Sequence, residues 1–146
     1  MYTENDINWV ITKPLSTAVI YTKDNTTLSP IPEYILNKKK NILKGDKVAL
    51  VWNNMEPVIT FPVRGNTLKS ILTAIEKGMK EPISVNDNAA NVYSVIGRFF
   101  GKSTRMELVK KFESGKLKPS DIIGDHHFYS GNLSRKNHIW MYSTES

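Results

Sequence analysis

Two apolar segments followed directly by an amphipathic helix constrain the fold of this chain more than any other feature. Residues 47–52 and 58–63 are rich in apolar and β-branched side chains, and residues 53–56 between them suit a tight turn. This pattern predicts a β-hairpin. Pro57 and Pro62 place its second strand at a sheet edge or beside a bulge, because proline cannot donate to a strand ladder.

The helix that follows presents one apolar face. Its apolar residues recur at the i, i+3, i+4, i+7 and i+11 spacing and are Leu68, Ile71, Leu72, Ile75 and Met79. Asn66 is predicted to cap the N-terminus of this helix, and Gly78 and Pro82 are predicted to end it. An apolar stripe needs a covering surface, so we expect the helix to pack against the preceding hairpin.

Two more helices and several short strands are predicted in the rest of the chain. Residues 84–88 have capping chemistry for a helix through Phe100, and residues 104–107 match a capping box that opens the next helix. Gly115 suits the position just after that helix. Strands are predicted at residues 8–11, 17–22 and 138–142, with frayed residues at 143–146.

Together these elements predict a single α+β domain that spans residues 1–146. Its antiparallel sheet contains the 47–63 hairpin at its centre, and about three helices between residues 67 and 114 cover one face. A chain of 146 residues is long enough to bury a core without disulfide or metal cross-links.

The composition excludes several classes of protein. The chain has no cysteine, which rules out disulfide scaffolds, thiolate metal sites and cysteine nucleophiles. No apolar run reaches the roughly 18 residues that span a bilayer. The polar, acidic N-terminus does not have the pattern of a signal peptide. We therefore expect an intracellular protein with no membrane association.

The histidines are the first candidates for chemistry. Asp125, His126 and His127 lie in the glycine-bounded segment 124–131, and His138 follows shortly after. Such residues bind zinc or transfer protons, so a small metal-dependent or acid–base enzyme is one hypothesis. Adjacent histidines on a strand point to opposite faces, however, and no HExxH-type spacing is present. We predict no bound metal or cofactor, and we interpret segment 124–131 as a shaped loop that locks the last strand to the core.

The charge of the chain favours an anionic partner. The net charge is +6 and the pI is near 9.5. Candidate contacts to an anion or a nucleic acid are Lys38, Lys39, Lys40, Arg98, Lys102, Arg105, Arg135 and Lys136. The Gly-Lys-Ser sequence at 101–103 lacks the spacing of a phosphate-binding P-loop, and it follows a predicted helix rather than a strand. A nucleic-acid-binding surface and a solvated lysine face both remain open.

Two segments carry a resemblance to a known group of proteins. Residues 61–75 are a strand that leads into a TLxxILxAI helix, followed by Glu-Pro-Ile-Ser at 81–84, and residues 123–133 contain Gly-Asp-His-His-Phe-Tyr-Ser-Gly. This combination resembles small uncharacterised proteins of large nucleocytoplasmic DNA viruses of protists (giant viruses), which carry a GDHxFFEGL-like ending after a similar helix. Ser130 stands where that pattern has glutamate, so the resemblance implies no functional carboxylate at this position.

The resemblance implies a viral context. We therefore expect a viral accessory or virion-associated protein in the host cell cytoplasm or the virion. We expect it to act without catalysis, by contact with a protein partner or with a second copy of itself as a homodimer. Nucleic-acid binding through a basic surface is the alternative.

Overall fold

The computed structural model describes residues 2–21, 28–51, 58–85, 89–124 and 127–145, and it confirms the α+β class. The strands are β1 (Ile7–Asn8), β2 (Val19–Tyr21), β3 (Leu28–Pro30), β4 (Lys47–Leu50), β5 (Val58–Pro62), β6 (Phe128–Lys136) and β7 (Ile139–Glu145). The α-helices are α1 (Glu33–Leu36), α2 (Leu68–Gly78), α3 (Ala89–Phe99) and α4 (Lys102–Glu113). Short 3₁₀ helices occupy Glu4–Asp6, Leu15–Thr17 and Pro119–Asp121.

The strands form two sheets. The first is antiparallel in the order β1-β2-β3, and the second has the order β5-β4-β7-β6. Antiparallel pairing of β4 with β5 confirms the predicted hairpin, whose turn residues 53–56 lie outside the described residues. Strand β5 is at the sheet edge with a register shift opposite Val48 and Ala49, which fits the presence of Pro62 in this strand, while Pro57 lies outside the described residues. The second sheet is mixed rather than wholly antiparallel, because β4 pairs in parallel with β7.

Helix α2 covers one face of the second sheet, where it packs against β4 and β5. All five apolar residues predicted for its inner face are fully buried. The N-cap is Thr67 rather than the predicted Asn66, because Thr67 and Ser70 exchange side-chain-to-backbone hydrogen bonds in a capping box. The residue three positions after Asn66 is Lys69, which has no acceptor to complete such a pair.

Helices α3 and α4 are confirmed, but α4 begins earlier than predicted. Its N-cap is Gly101, and the Arg105 N–H donates to the Gly101 carbonyl, so Thr104 lies inside the first turn. The capping box predicted at residues 104–107 is therefore wrong. At the other end, Gly115 has a φ of +73°, and the Lys116 N–H donates to the Lys111 carbonyl, which confirms the predicted glycine stop.

The C-terminal third forms a longer hairpin than predicted. Strand β6 begins at Phe128, inside the segment interpreted as a loop, and β7 continues to Glu145 through residues predicted to be frayed. Asn137 and His138 connect β6 to β7 with φ angles of 52° and 65°. Two consecutive positive φ angles are characteristic of a type I′ turn, which matches the twist of the flanking strands.

The segment before β6 is tied to the N-terminal region. The Ile11 N–H donates to the His127 carbonyl at 2.7 Å, and the Tyr129 N–H donates to the Trp9 carbonyl at 3.0 Å. Trp9 and Ile11 belong to the same hydrophobic cluster as the inner face of α2, so the two sheets share one core. Across the described ranges, no helix is long and apolar enough to cross a membrane.

Candidate functional site

Asp46 is the one polar or charged residue that is fully buried in the part of the chain that the structure describes. It follows Gly45, whose φ of +90° turns the chain into β4. The Leu43 N–H donates to Asp46 Oδ2 at 3.0 Å, which closes this turn. Burial of a carboxylate is costly unless its oxygen atoms are fully hydrogen-bonded, so the partners of Asp46 decide whether it stabilises the fold.

Three side chains from the C-terminal hairpin supply those partners. Arg135 donates through Nε to Oδ2 at 2.9 Å and through Nη2 to Oδ1 at 3.0 Å. Trp140 Nε1 donates to Oδ2 at 2.9 Å, and His138 Nδ1 lies 2.8 Å from Oδ1. The parallel pairing of β4 with β7 sets Lys47 beside Ile139, and the β6–β7 pairing sets Arg135 opposite Trp140. The second sheet therefore assembles this cluster, which we call the Asp46 cluster (Asp46, Arg135, His138 and Trp140).

The electrostatics of the Asp46 cluster favour a permanent ion pair. The Arg135 guanidinium holds the pKa of the Asp46 carboxyl well below its ordinary value of 3.8, although burial alone would raise it. The Leu43 N–H, Trp140 and His138 lower it further. The same contact raises the pKa of Arg135. Because both carboxylate oxygens already accept hydrogen bonds, Asp46 stays ionised and is unsuited to accept a proton as a general base.

His138 is the reactive group that this cluster presents to solvent. Its side chain is 57% exposed, and its Nδ1 must carry a proton to donate to the carboxylate. Nε2 makes no hydrogen bond to any described residue. A carboxylate that accepts from one imidazole nitrogen fixes the orientation of the ring and leaves the other nitrogen available. The arrangement is chemically suited to proton transfer or to supplying a single metal ligand.

The structure separates the members of the predicted histidine group that it describes. Asp125 and His126 lie outside the described residues. The His127 ring contacts the Phe128 ring with centroids 4.7 Å apart, whereas His138 bonds to Asp46. Within the described ranges, no group of three or more His, Cys, Asp or Glu side chains is placed to hold a metal ion. The acid–base hypothesis therefore moves to the Asp46–His138 pair.

The predicted anion contacts lie on several elements of the fold. Lys40 forms an ion pair with Glu4 at 2.9 Å, and the Lys38 carbonyl accepts the Leu68 N–H at the start of α2. The Lys39 side chain is exposed beside them. Arg135 forms an ion pair with Asp46, while the neighbouring Lys136 is exposed on β6. Of the other predicted contacts, Arg98 lies on α3, and Lys102 and Arg105 lie on α4.

A larger basic surface surrounds α4. Between residues 98 and 118 the chain has seven cationic and two acidic side chains, a net charge of +5 out of +6 for the whole protein. All seven cationic residues are exposed, and we call them the α4 basic surface: Arg98, Lys102, Arg105, Lys110, Lys111, Lys116 and Lys118. Among described side chains, only Lys111 of this set has an ion-pair partner, Asp121 at 3.5 Å.

The α4 basic surface includes a groove, and exposed apolar side chains accompany it. Lys111, Lys116 and Lys118 line a groove of about 370 Å³ whose wall includes Pro82. Two apolar side chains between residues 98 and 118 are also exposed, Phe99 at 37% and Met106 at 58%. The first turn of α4 has no acidic residue, and Gly101 provides no side-chain cap, so the free N–H groups add to the positive potential.

Sequence reasoning missed Asp46, Trp140 and the four lysines after Lys102. The lysines were detectable, because a running count of charge along the chain rises steeply over residues 98–118. Asp46 had no comparable signal, since its partners lie 89 to 94 residues away.

No protein-family model, curated protein or solved structure matches this chain. The resemblance to proteins of large DNA viruses thus stays a prediction from the two sequence segments.

Proposed function

We propose that this protein is a non-enzymatic accessory protein that binds nucleic acid through the α4 basic surface. The observation that carries this proposal is the concentration of a net charge of +5 in 21 consecutive residues whose cationic side chains are all exposed. Cationic side chains that neutralise phosphates release condensed counterions, and this supplies most of the affinity of sequence-independent binding.

The rigidity of α4 supports this role. Leu108 and Phe112 anchor the helix in the core, and the Tyr93 ring of α3 meets Phe112 edge-on with centroids 5.3 Å apart. The Tyr93 hydroxyl donates to Glu113 at 3.3 Å, which joins α3 to the end of α4. Lysine-rich contacts made from a fixed helix position a phosphate backbone without reading base identity, so we expect binding with little sequence preference.

Fluorescence anisotropy with labelled single-stranded and duplex oligonucleotides over a range of salt concentrations tests the proposal. The test variant replaces four surface lysines by glutamine, at Lys110, Lys111, Lys116 and Lys118. A matched control replaces four exposed lysines elsewhere, at Lys13, Lys38, Lys39 and Lys44. Affinity of the test variant should fall by at least about tenfold, and its log–log salt slope on duplex DNA should decrease by up to about 3.6. Equal losses in both variants, or no binding by the wild type at low salt, would refute the proposal.

A second candidate function is contact with an acidic protein. The exposure of Phe99 and Met106 beside Arg98 and Arg105 favours it, because aromatic, methionine and arginine side chains are enriched in protein interfaces. Replacing Phe99 by Ser and Met106 by Gln removes the apolar anchors and keeps every charge. Protein capture should be lost in this double variant while oligonucleotide affinity is retained; loss of oligonucleotide affinity alone would exclude this candidate.

The two sequence segments that resemble proteins of giant viruses support a viral accessory or virion-associated role in host cytoplasm or particle. Mass spectrometry of purified particles and of infected-cell cytoplasm tests that location.

For a homodimer, contact between two α4 basic surfaces is disfavoured by like charge. A dimer seen in analytical ultracentrifugation should therefore persist when that surface is neutralised, and its loss in the four-lysine variant would contradict this placement.

A further inference from the structure

A second concave site lies between the first sheet, α1 and α2. Its volume is about 400 Å³, within the usual range for small-molecule sites. The apolar part of its lining comes from three elements, with Leu15 before β2, Ile31 after β3 and Leu36 in α1. These three side chains are all partly buried and pack against the core, so the floor of the groove is held in place.

The polar part of the lining comes from Ser16 and from one face of α2. Lys69, Thr73 and Glu76 are spaced at i, i+4 and i+7, so they point to the same side of the helix. The Glu76 carboxylate accepts a hydrogen bond from the Leu15 N–H. Lys69 and Thr73, by contrast, have no side-chain hydrogen-bond or ion-pair partner within the described ranges.

The charges on the α2 side of the groove indicate which charge a ligand should carry. The unpaired charge is the Lys69 ammonium, and it lies at one end of the groove. Glu76 lies about 10 Å further along α2, at a rise of 1.5 Å per residue, and its charge is partly satisfied by the Leu15 N–H. An anionic group is therefore attracted to the Lys69 end and kept from the Glu76 end, while the apolar floor lies between them.

We infer that this groove binds a small amphipathic organic carboxylate. Its carboxylate accepts hydrogen bonds from Lys69, with the Thr73 hydroxyl as a further donor, and its apolar body lies over Leu15, Ile31 and Leu36. This site is separate from the α4 basic surface, so the inference does not rest on the proposed function.

Backbone-amide NMR titration of the full chain with octanoate tests this assignment. The comparison probes are 1-octanol, which has the same apolar body without charge, and octylammonium, which reverses the charge. Octanoate should bind most tightly and octylammonium least, and the shifted amides should cluster in α1, α2, residues 15–18 and Ile31. Shifts spread over the rest of the protein, no binding of octanoate, or octylammonium as the tightest probe would overturn the inference.

Two variants and a control test the roles of the residues. Lys69→Gln should weaken octanoate about tenfold and leave 1-octanol unchanged, because only the charged hydrogen bond is lost. Thr73→Phe fills the groove and should abolish binding of both probes. Lys77→Gln removes an exposed charge from α2 outside this groove and should change neither affinity. If Lys69→Gln leaves the affinity for octanoate unchanged, the site is refuted. This measurement does not depend on Thr73→Phe, so it remains valid even when that variant does not fold.

Discussion

Replacing Asp46 by Asn is the most informative perturbation of the fold. The two side chains have nearly the same shape, so the substitution changes hydrogen bonding without opening a cavity. The carboxylate accepts from Arg135, His138, Trp140 and the Leu43 N–H. An amide has one oxygen acceptor and a donor NH₂ group, which must face donors already present. The charge of Arg135 then loses its partner, and at least one donor is left unpaired.

The size of the effect follows from the burial of the pair. Removing one partner of a buried ion pair costs about 3–5 kcal/mol. Arg135 is one-quarter exposed and can regain some hydration, so we expect the lower end, about 3 kcal/mol of unfolding free energy. For a chain of 146 residues this lowers Tm by about 10 °C.

Urea unfolding followed by tryptophan fluorescence and circular dichroism measures this loss. The transition midpoint should fall with an unchanged m value, since the exposed area on unfolding stays the same. Asp121→Asn is the matched control, because Asp121 also accepts a backbone N–H, from Lys118, but at a partly exposed position. It should cost about 1 kcal/mol or less. A loss for Asp46→Asn no larger than that of the control would show that the cluster does not stabilise the fold.

Three further outcomes are expected from urea unfolding. The unfolded chain takes up the Asp46 proton near pH 3.8 and the folded chain only at lower pH, so this contribution is complete above about pH 5, begins to fall near pH 4 and is lost only as the pH falls through the lowered pKa of the folded chain; a difference between wild type and Asp46→Asn that is constant from pH 7 to 3 contradicts this. His138→Gly should be about 1 kcal/mol more stable than His138→Ala, because both lose the bond to Asp46 but only alanine strains the +65° φ. Gly65→Ala should lower the free energy of unfolding by more than about 1 kcal/mol, because its φ is +122° and a Cβ would lie 2.1 Å from Ser70 Oγ. Gly97→Ala, with open space around it in α3, should instead raise that free energy by about 0.5–1 kcal/mol. Similar changes in the two variants would refute this prediction.

Local sequence patterns were sufficient to predict the elements that are determined by neighbouring residues. The apolar stripe of α2, the 47–63 hairpin and the glycine stop of α4 each follow from residues within a few positions of one another. Strand β6 escaped prediction because glycine and serine near its start have low strand propensity, and its stability comes from pairing with β7. Tertiary pairing overrode local preference there.

The Asp46 cluster shows where prediction from a single sequence ends. In the sequence, Asp46 follows a glycine and reads as an ordinary turn residue, whereas Arg135 is predicted as an anion contact and Trp140 lies in the strand predicted at residues 138–142. The parallel pairing of β4 with β7 brings these residues together. Parallel strands need a long connection, so no turn and no local periodicity in the sequence specifies this register. The same register explains why His138 tolerates a positive φ, since its bond to Asp46 offsets strain that glycine would avoid. Charge, strain and topology are therefore coupled at this one carboxylate, which links the start of β4 to the turn and both strands of the C-terminal hairpin.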